Sequence, residues 1–401
     1  MRRGLALSLL PALAACATVA SPTAPAWPSG QDAAPAIAFP NSATQQRRLL
    51  AAAHQAGDAA AVRAGLERLA AFGYAPSAAT LDLLAAHLPT PEMAALRLRF
   101  ESNRARVEAS RLFATVPAEY RLVEGIAWDA RRNRLFAAAV VDRALLVREP
   151  FGWIKVESIN GGSLFGLAID ERRQLLWVGS GRVEQTPEPD SAFRGLIAFD
   201  LNNLIVVHRI PAPGTGSPAD IAVGPDGTVY ASDPGSGAVY RASPEDMALS
   251  ILVPAGRLGN PQGIVPAADG RRLYVSDYER GIAIVSLADG SVTRLESDAS
   301  TMLDGIDGLV AWRGGLIAIQ NGVNPRRILR LTLSRDGNRI AAVRVLESNN
   351  AEWGEPTLGF VRGAEFLYVA DAQWERYGAR GAAQGEGAAR PTPIRLLRPG
   401  D

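Results

Sequence analysis

The chain is almost without cysteine, lysine and histidine, and each shortage excludes a chemistry. Cys16 is the only cysteine among 401 residues, so neither an intrachain disulfide nor a cysteine-built zinc site can form. Lys155 is the only lysine, the other basic residues being arginine. It falls in a predicted outer strand, which argues against a Schiff-base or lysine-nucleophile mechanism. The three histidines, His54, His87 and His208, are predicted in helices and an outer strand. None is expected to reach a central site, so a serine–histidine triad or a histidine base is not expected. A formal net charge of +1 lacks the basic excess that nucleic acid calls for. Glycine phrases such as Gly214-Thr-Gly-Ser lack phosphate-loop spacing. The apolar stretch from Leu5 to Leu13 is too short to span a bilayer.

That stretch has another use. It comes after Arg2 and Arg3 and runs into Leu13-Ala-Ala-Cys16, the form of a bacterial lipobox. Residues 1–16 are therefore expected to be an export signal cut before Cys16, whose thiol would be lipidated. The plainer alternative is an ordinary signal peptide with a chance cysteine. Ala17, not Asp, comes next. The expected location is the bacterial cell envelope, with the protein anchored in the outer membrane and facing the periplasm. Residues 17–41, rich in Ala, Pro and Ser, suit a flexible tether. Residues 42–110 read as helices, with Asp58, Ser77 and Thr90 as start signals and Gly57 and Gly73 as breaks. They are expected to be a cap or spacer docked on the larger C-terminal part of the chain, or a surface for a protein partner.

From residue 111 the period changes, and one phrase returns six times. It reads Glu124-Gly-Ile-Ala, Phe165-Gly-Leu-Ala, Ala219-Asp-Ile-Ala, Gln262-Gly-Ile-Val, Asp307-Gly-Leu-Val and Thr357-Leu-Gly-Phe. Successive copies are 41 to 54 residues apart, enough for one four-stranded sheet each. After each phrase come a turn and a second strand, as in Arg134-Leu-Phe-Ala and Arg272-Leu-Tyr-Val. The expected fold is mainly β, a six-bladed β-propeller over residues 111–401 preceded by a small α-helical region. The last blade lacks a fourth strand after Ile394, and Leu112–Val116 is expected to supply it, closing the ring. Two long connections, Gly181 to Phe193 and Ala372 to Pro393, should share the face where the innermost strands begin.

Equivalent positions of radial blades converge on one axis. The residues opening the six phrases are Glu124, Phe165, Ala219, Gln262, Asp307 and Thr357. Two carboxylates and a carboxamide facing one channel suit a hard divalent cation, calcium or magnesium. Asp220 adjoins Ala219; strand alternation aims it differently, but it is kept as a candidate substrate contact. Asn321 and Gln373, polar at the ends of second strands, and Trp374, in the second long loop, are the other candidate contacts.

These residues carry a family resemblance. From about residue 118 to 398 the chain resembles the regucalcin/gluconolactonase family of six-bladed propellers, and more distantly the paraoxonases. The supporting phrases are Glu124-Gly-Ile-Ala-Trp-Asp, Pro218-Ala-Asp-Ile-Ala-Val-Gly-Pro-Asp-Gly, Pro261-Gln-Gly-Ile and Ile306-Asp-Gly-Leu. The resemblance implies a divalent metal, calcium foremost, held by Glu124, Gln262 and Asp307, with Asp307 as base in hydrolysis of a small lactone or ester. Gln262 and Ala219 both stand where the family pattern has Asn. Two functions stay open: a metal-dependent lactonase or esterase, and a non-catalytic propeller that binds a protein, peptide or glycan of the envelope.

Overall fold

A computed structural model describes residues 39–156, 159–297, 299–385 and 389–400. Cys16, with the expected signal and lipidation, lies outside the described residues.

Four helices come first. α1 (Ala43–Gln55) is capped by Ser42, whose hydroxyl accepts from the Gln45 amide. α2 (Ala59–Ala71) is capped by Asp58 in the same way, and α3 (Ala78–Leu84) by Ser77. Each cap satisfies an amide that the first helical turn leaves without a partner. α4 (Thr90–Asn103) differs from expectation. Thr90 is its first residue, not its cap, and Pro89 precedes it without a side-chain cap. Leu66, Leu69 and Phe100 are fully buried between the helices.

Six sheets come next, one per blade. The propeller opens with β1 (Arg111–Val116). Blade 1 runs from β2 (Val123–Asp129) to β5 (Gly152–Lys155), and blade 2 from β6 (Ser163–Asp170) to β9 (Val206–Pro211). Blade 3 runs from β10 (Ile221–Val223) to β13 (Leu249–Val253), and blade 4 from β14 (Pro261–Pro266) to β17 (Val292–Arg294). Blade 5 holds β19 (Ile306–Trp312) to β22 (Arg339–Ser348), with the short β18 (Glu296–Ser297) added in parallel at its edge. Blade 6 has three strands of its own, β23 (Gly359–Arg362), β24 (Glu365–Val369) and β25 (Thr392–Leu397). Its fourth is β1, which pairs with β25 from Arg111↔Leu396 to Val116↔Thr392. The predicted closure is thus present: the start of the propeller completes its last sheet and covers an edge that would otherwise stay open.

The core is a set of layers between neighbouring blades. Phe136 and Leu145 of blade 1 pack against Leu176 and Phe199 of blade 2, and Ile126 and Leu135 of blade 1 against Leu367 and Ile394 of blade 6. Layers of this kind lie between each adjacent pair of blades, so burial itself closes the ring.

The helices rest on loops of blades 4 and 5. Asp304 accepts from Ala43 N at 2.8 Å, Thr44 N at 2.7 Å and the Ser42 hydroxyl at 3.2 Å. It anchors the positive end of α1 to the propeller. Arg327 is buried beneath; it donates to Gln320 Oε1 at 2.6 Å and to Phe72 O at 3.3 Å. Ala75 N donates to Asn324 O at 2.8 Å. Met302 and Val323 of blade 5's loops join the helical core. This is the face on which the innermost strands begin.

Candidate functional site

Four of the six innermost strands carry a β-bulge at the repeated phrase. The register shifts between Val123 and Gly125, Leu164 and Leu167, Pro261 and Ile264, and Ile306 and Leu309. The glycine of the phrase has a steric cause. A Cβ on Gly125 would stand 2.2 Å from Phe165 O, and one on Gly308 would stand 2.4 Å from Thr357 O. The strands crowd the axis so closely that each glycine lies against its neighbour's backbone. Around the ring these contacts become hydrogen bonds too: Gly166 N donates to Ala219 O at 3.0 Å, and Thr357 Oγ1 to Glu124 O at 3.1 Å.

A bulge breaks the strict alternation of a strand, and this bears on the phrase-opening residues. Glu124, Gln262 and Asp307, remote in sequence, line one cavity of about 320 Å³ at the channel mouth. Asp220 lines it as well, from the position that glycine holds in four other blades, and a further cavity of about 330 Å³ continues beneath it along the channel. Alternation alone would have turned Asp220 elsewhere. Its carboxylate accepts from its own strand's Ile221 N at 2.8 Å.

Asn321 and Trp374 also reach the cavity. Asn321 donates Nδ2 to Asp307 Oδ2 at 2.7 Å and to Pro356 O at 2.9 Å, and accepts from the Tyr278 hydroxyl at 2.7 Å. Trp374 donates Nε1 to Glu124 Oε2 at 2.7 Å. Gln262 donates Nε2 to Asn260 Oδ1 at 2.6 Å, so its amide oxygen is the atom left for another partner. Gln373 is placed otherwise than expected. It adopts a left-handed backbone, φ 67°, and its Nε2 donates to Arg390 O at 3.1 Å, inside its own loop. It does not line the cavity, and its Oε1 is buried without a hydrogen-bond partner among the described residues.

Glu355, Tyr278 and Arg182 complete the setting and were missed in the sequence. A signal existed for Glu355. Glu355-Pro356-Thr357 parallels Asn260-Pro261-Gln262 and Ser217-Pro218-Ala219, and proline holds its predecessor extended just before the phrase. The two long loops meet over this face: Arg380 N donates to Glu184 O at 2.8 Å, and Gln185 Nε2 to Tyr377 O at 3.2 Å.

Four acids thus share one small enclosure, and their protonation reflects it. Burial pushes Asp307 up to about 6, against the pull of the Asn321 hydrogen bond. Burial raises Asp220 to about 7, with Asp307 adding to it. Glu355 also rises to about 7, through burial and then the Asp307 charge. Glu124 is raised well above its ordinary value by burial and by Asp307. The one basic side chain lining the cavity among the described residues, Arg182, lies 3.6 Å from Asp190. Among the described residues no three His, Cys, Asp or Glu side chains stand grouped as a ready metal cluster. A cation here would draw on two acids and amide oxygens.

No protein-family model matches the chain, and no curated protein matches it in sequence. Solved structures do. Virginiamycin B lyase from Staphylococcus aureus superposes with a TM-score of 0.50 at 12% identity, over 72% of this chain and 99% of that one. A gluconolactonase from Xanthomonas campestris gives 0.47 at 18% identity, over 73% and 99%. The PQQ-bound aldose sugar dehydrogenase from Streptomyces coelicolor gives 0.46 at 14%, over 73% and 98%. At such identities the likeness is one of fold.

Proposed function

We propose that this protein is a divalent-cation-dependent hydrolase of lactones or esters, with its site at the mouth of the propeller. One observation carries the reading: Glu124, Asp220, Asp307 and Glu355 converge on a cavity that also receives Gln262 and Asn321. Carboxylates buried around one cavity and held above their ordinary proton affinity are short of positive charge, and oxygen donors of this kind suit calcium. Glu124, Gln262 and Asp307 are the proposed ligands. Bound there, the cation would polarise a carbonyl group. Asp307 is the proposed base. With a value of about 6 it is ionised at neutral pH and can take a proton. Asn321 fixes one of its oxygens and Trp374 one of Glu124's, so both carboxylates are oriented before a ligand arrives. The substrate contacts proposed are Asp220, Asn321 and Trp374. Anchoring in the envelope through lipid at Cys16 belongs to the same proposal.

The test joins calorimetric calcium titration to a panel of lactones and aryl esters, with and without chelator. Asp307→Ala is expected to lose hydrolysis by at least roughly 100-fold and to weaken calcium binding. Full activity with unchanged calcium retention in that variant would end the reading. Ala219, which offers no polar atom to the ring, favours a second reading: a non-catalytic module that binds an envelope protein, peptide or glycan. Calcium binding without turnover of any member of the panel would support it.

A further inference from the structure

Beside the acidic cavity lies a second one of opposite character. It has a volume of about 450 Å³ and opens where the helices meet blades 5 and 6. Asn321 lines both cavities. The second cavity has no carboxylate in its lining, and it holds two guanidinium groups, Arg47 from α1 and Arg326 from the loop after β20 (Gly315–Gln320). Neither forms a salt bridge among the described residues; Glu355 and Asp371 feel the Arg326 charge only from beyond ion-pair distance. Arg47 lies over the Tyr74 ring, 5.7 Å from its centre, which steadies a long side chain that would otherwise wander. Arg326 is tied by a hydrogen bond to Gly354 O. Asn349 donates its Nδ2 to Arg104 O at 2.7 Å, so its side-chain oxygen is the part left for a ligand's hydroxyl.

We infer that this annex is the anion subsite of the enzyme, and that the substrate is a lactone or ester carrying a carboxylate or a phosphate. The inference rests on the hydrolase reading for where the scissile carbonyl sits. Two guanidinium groups without a paired acid match a carboxylate or phosphate in charge and in fork geometry. Their cavity is large enough for a small-molecule group. The neighbouring acids would repel such a group, so an anionic substrate has one orientation: charged end against Arg47 and Arg326, carbonyl end across Asn321 toward Asp307. The helical region thereby supplies a specificity residue to a site otherwise built by the propeller.

The experiment has a binding arm and a turnover arm. In the first, glutarate and inorganic phosphate are titrated calorimetrically into chelator-treated full-length protein. In the second, an aryl butyrate is compared with the aryl hemiester of glutarate in the presence of calcium. At least one anion is expected to bind without metal, about tenfold more weakly in Arg47→Ala, with partial recovery in Arg47→Lys. The hemiester is expected to show a KM about tenfold lower than the neutral ester, a ratio that falls toward one in Arg47→Ala and Arg326→Ala. Melting temperature reports whether each variant folds; Arg47 is exposed, so little change is expected. The larger loss, for glutarate or for phosphate, identifies the group the annex takes. Anion binding that depends on Arg47 without turnover of either ester supports the annex and sinks the hydrolase. Equal turnover of both esters with no anion binding sinks the annex and leaves the hydrolase standing. Anion binding that is indifferent to both arginines also overturns it.

Discussion

Asp220 is the residue at which this propeller departs most from its own repeat. Glycine holds the position in four blades and Leu358 in a fifth, yet here a carboxylate stands at the floor of an acidic cavity. Burial raises it from 3.8 to about 7, which sets the sign of its effect on stability. Between those two values the folded state keeps a proton that the unfolded state has lost. Stability should therefore fall as pH rises from about 4 through 7, and level off above. Asp220→Asn removes the share of that decline that belongs to Asp220, while Asp307 and Glu355 keep theirs. In chelator-treated protein the variant is expected to be more stable than the parent at pH 8 by about 1–3 kcal/mol, and so to melt higher, with the gap closing toward pH 4. Melting curves across this range check it; parallel profiles for the two proteins would show that Asp220 bears no such burden. Calcium should narrow the difference at pH 8 if Asp220 senses the bound cation.

At the scale of the element, the bulged first strand is what turns a repeat into a site. The phrase was legible because close approach tolerates little but glycine, and glycine is visible in any sequence. The bulge was not, because it exists only relative to a partner strand. Glu124 and Asp307 were placed at the axis by their position in the phrase, while Asp220 could not be aimed by alternation, because it stands just before β10 and shares one partner with Ala219: Ala219 N donates to Ser232 O at 2.9 Å and Ser232 N to Asp220 O at 3.0 Å. Gly308→Ala tests the crowding. Its Cβ would meet Thr357 O at 2.4 Å and Ile319 at 3.0 Å, one of them backbone of the next blade. A cost of about 2–3 kcal/mol is expected in urea denaturation. A midpoint within error of the parent would mean that blades 5 and 6 can separate freely. Elsewhere local chemistry was enough: Asp58 and Ser77 cap helices as their positions suggest, while the Ser42 cap was not singled out in the sequence. His54 and His87 lie away from the axis, 2.8 Å from each other. Trp177 is packed, stacked on His208 of the outer strand.

For the whole molecule, the ring depends on its two ends meeting. Removal of all residues before 118 deletes β1, and with it Ala114 and Val116 from the layer that joins blade 6 to blade 1. The shortened chain should aggregate or lose cooperative unfolding, since β25 becomes an open edge. Removal of residues before 106 spares β1 and takes only the helices. That chain should keep the elution behaviour of the parent with a lower melting temperature, because Met302, Val323 and Arg327 lose their cover. Size-exclusion chromatography and thermal unfolding of both truncations check this, and equal behaviour of the two would remove closure as the source of stability.

Amino-acid order by itself determined the repeat, the number of blades, the closing strand and the acids that open two of the phrases. Each of these comes from local chemistry: the alternation of strands, the turns between them, and the absence of a side chain where backbones touch. Only the tertiary structure decided which polar groups share a cavity. It brought Glu355 and Tyr278 in, turned Gln373 away, and set a basic annex from the helices beside an acidic mouth. Those placements depend on loops and on the docking of one region against another. Distances across the axis are fixed by the packing of whole blades, to which no short stretch of chain gives access.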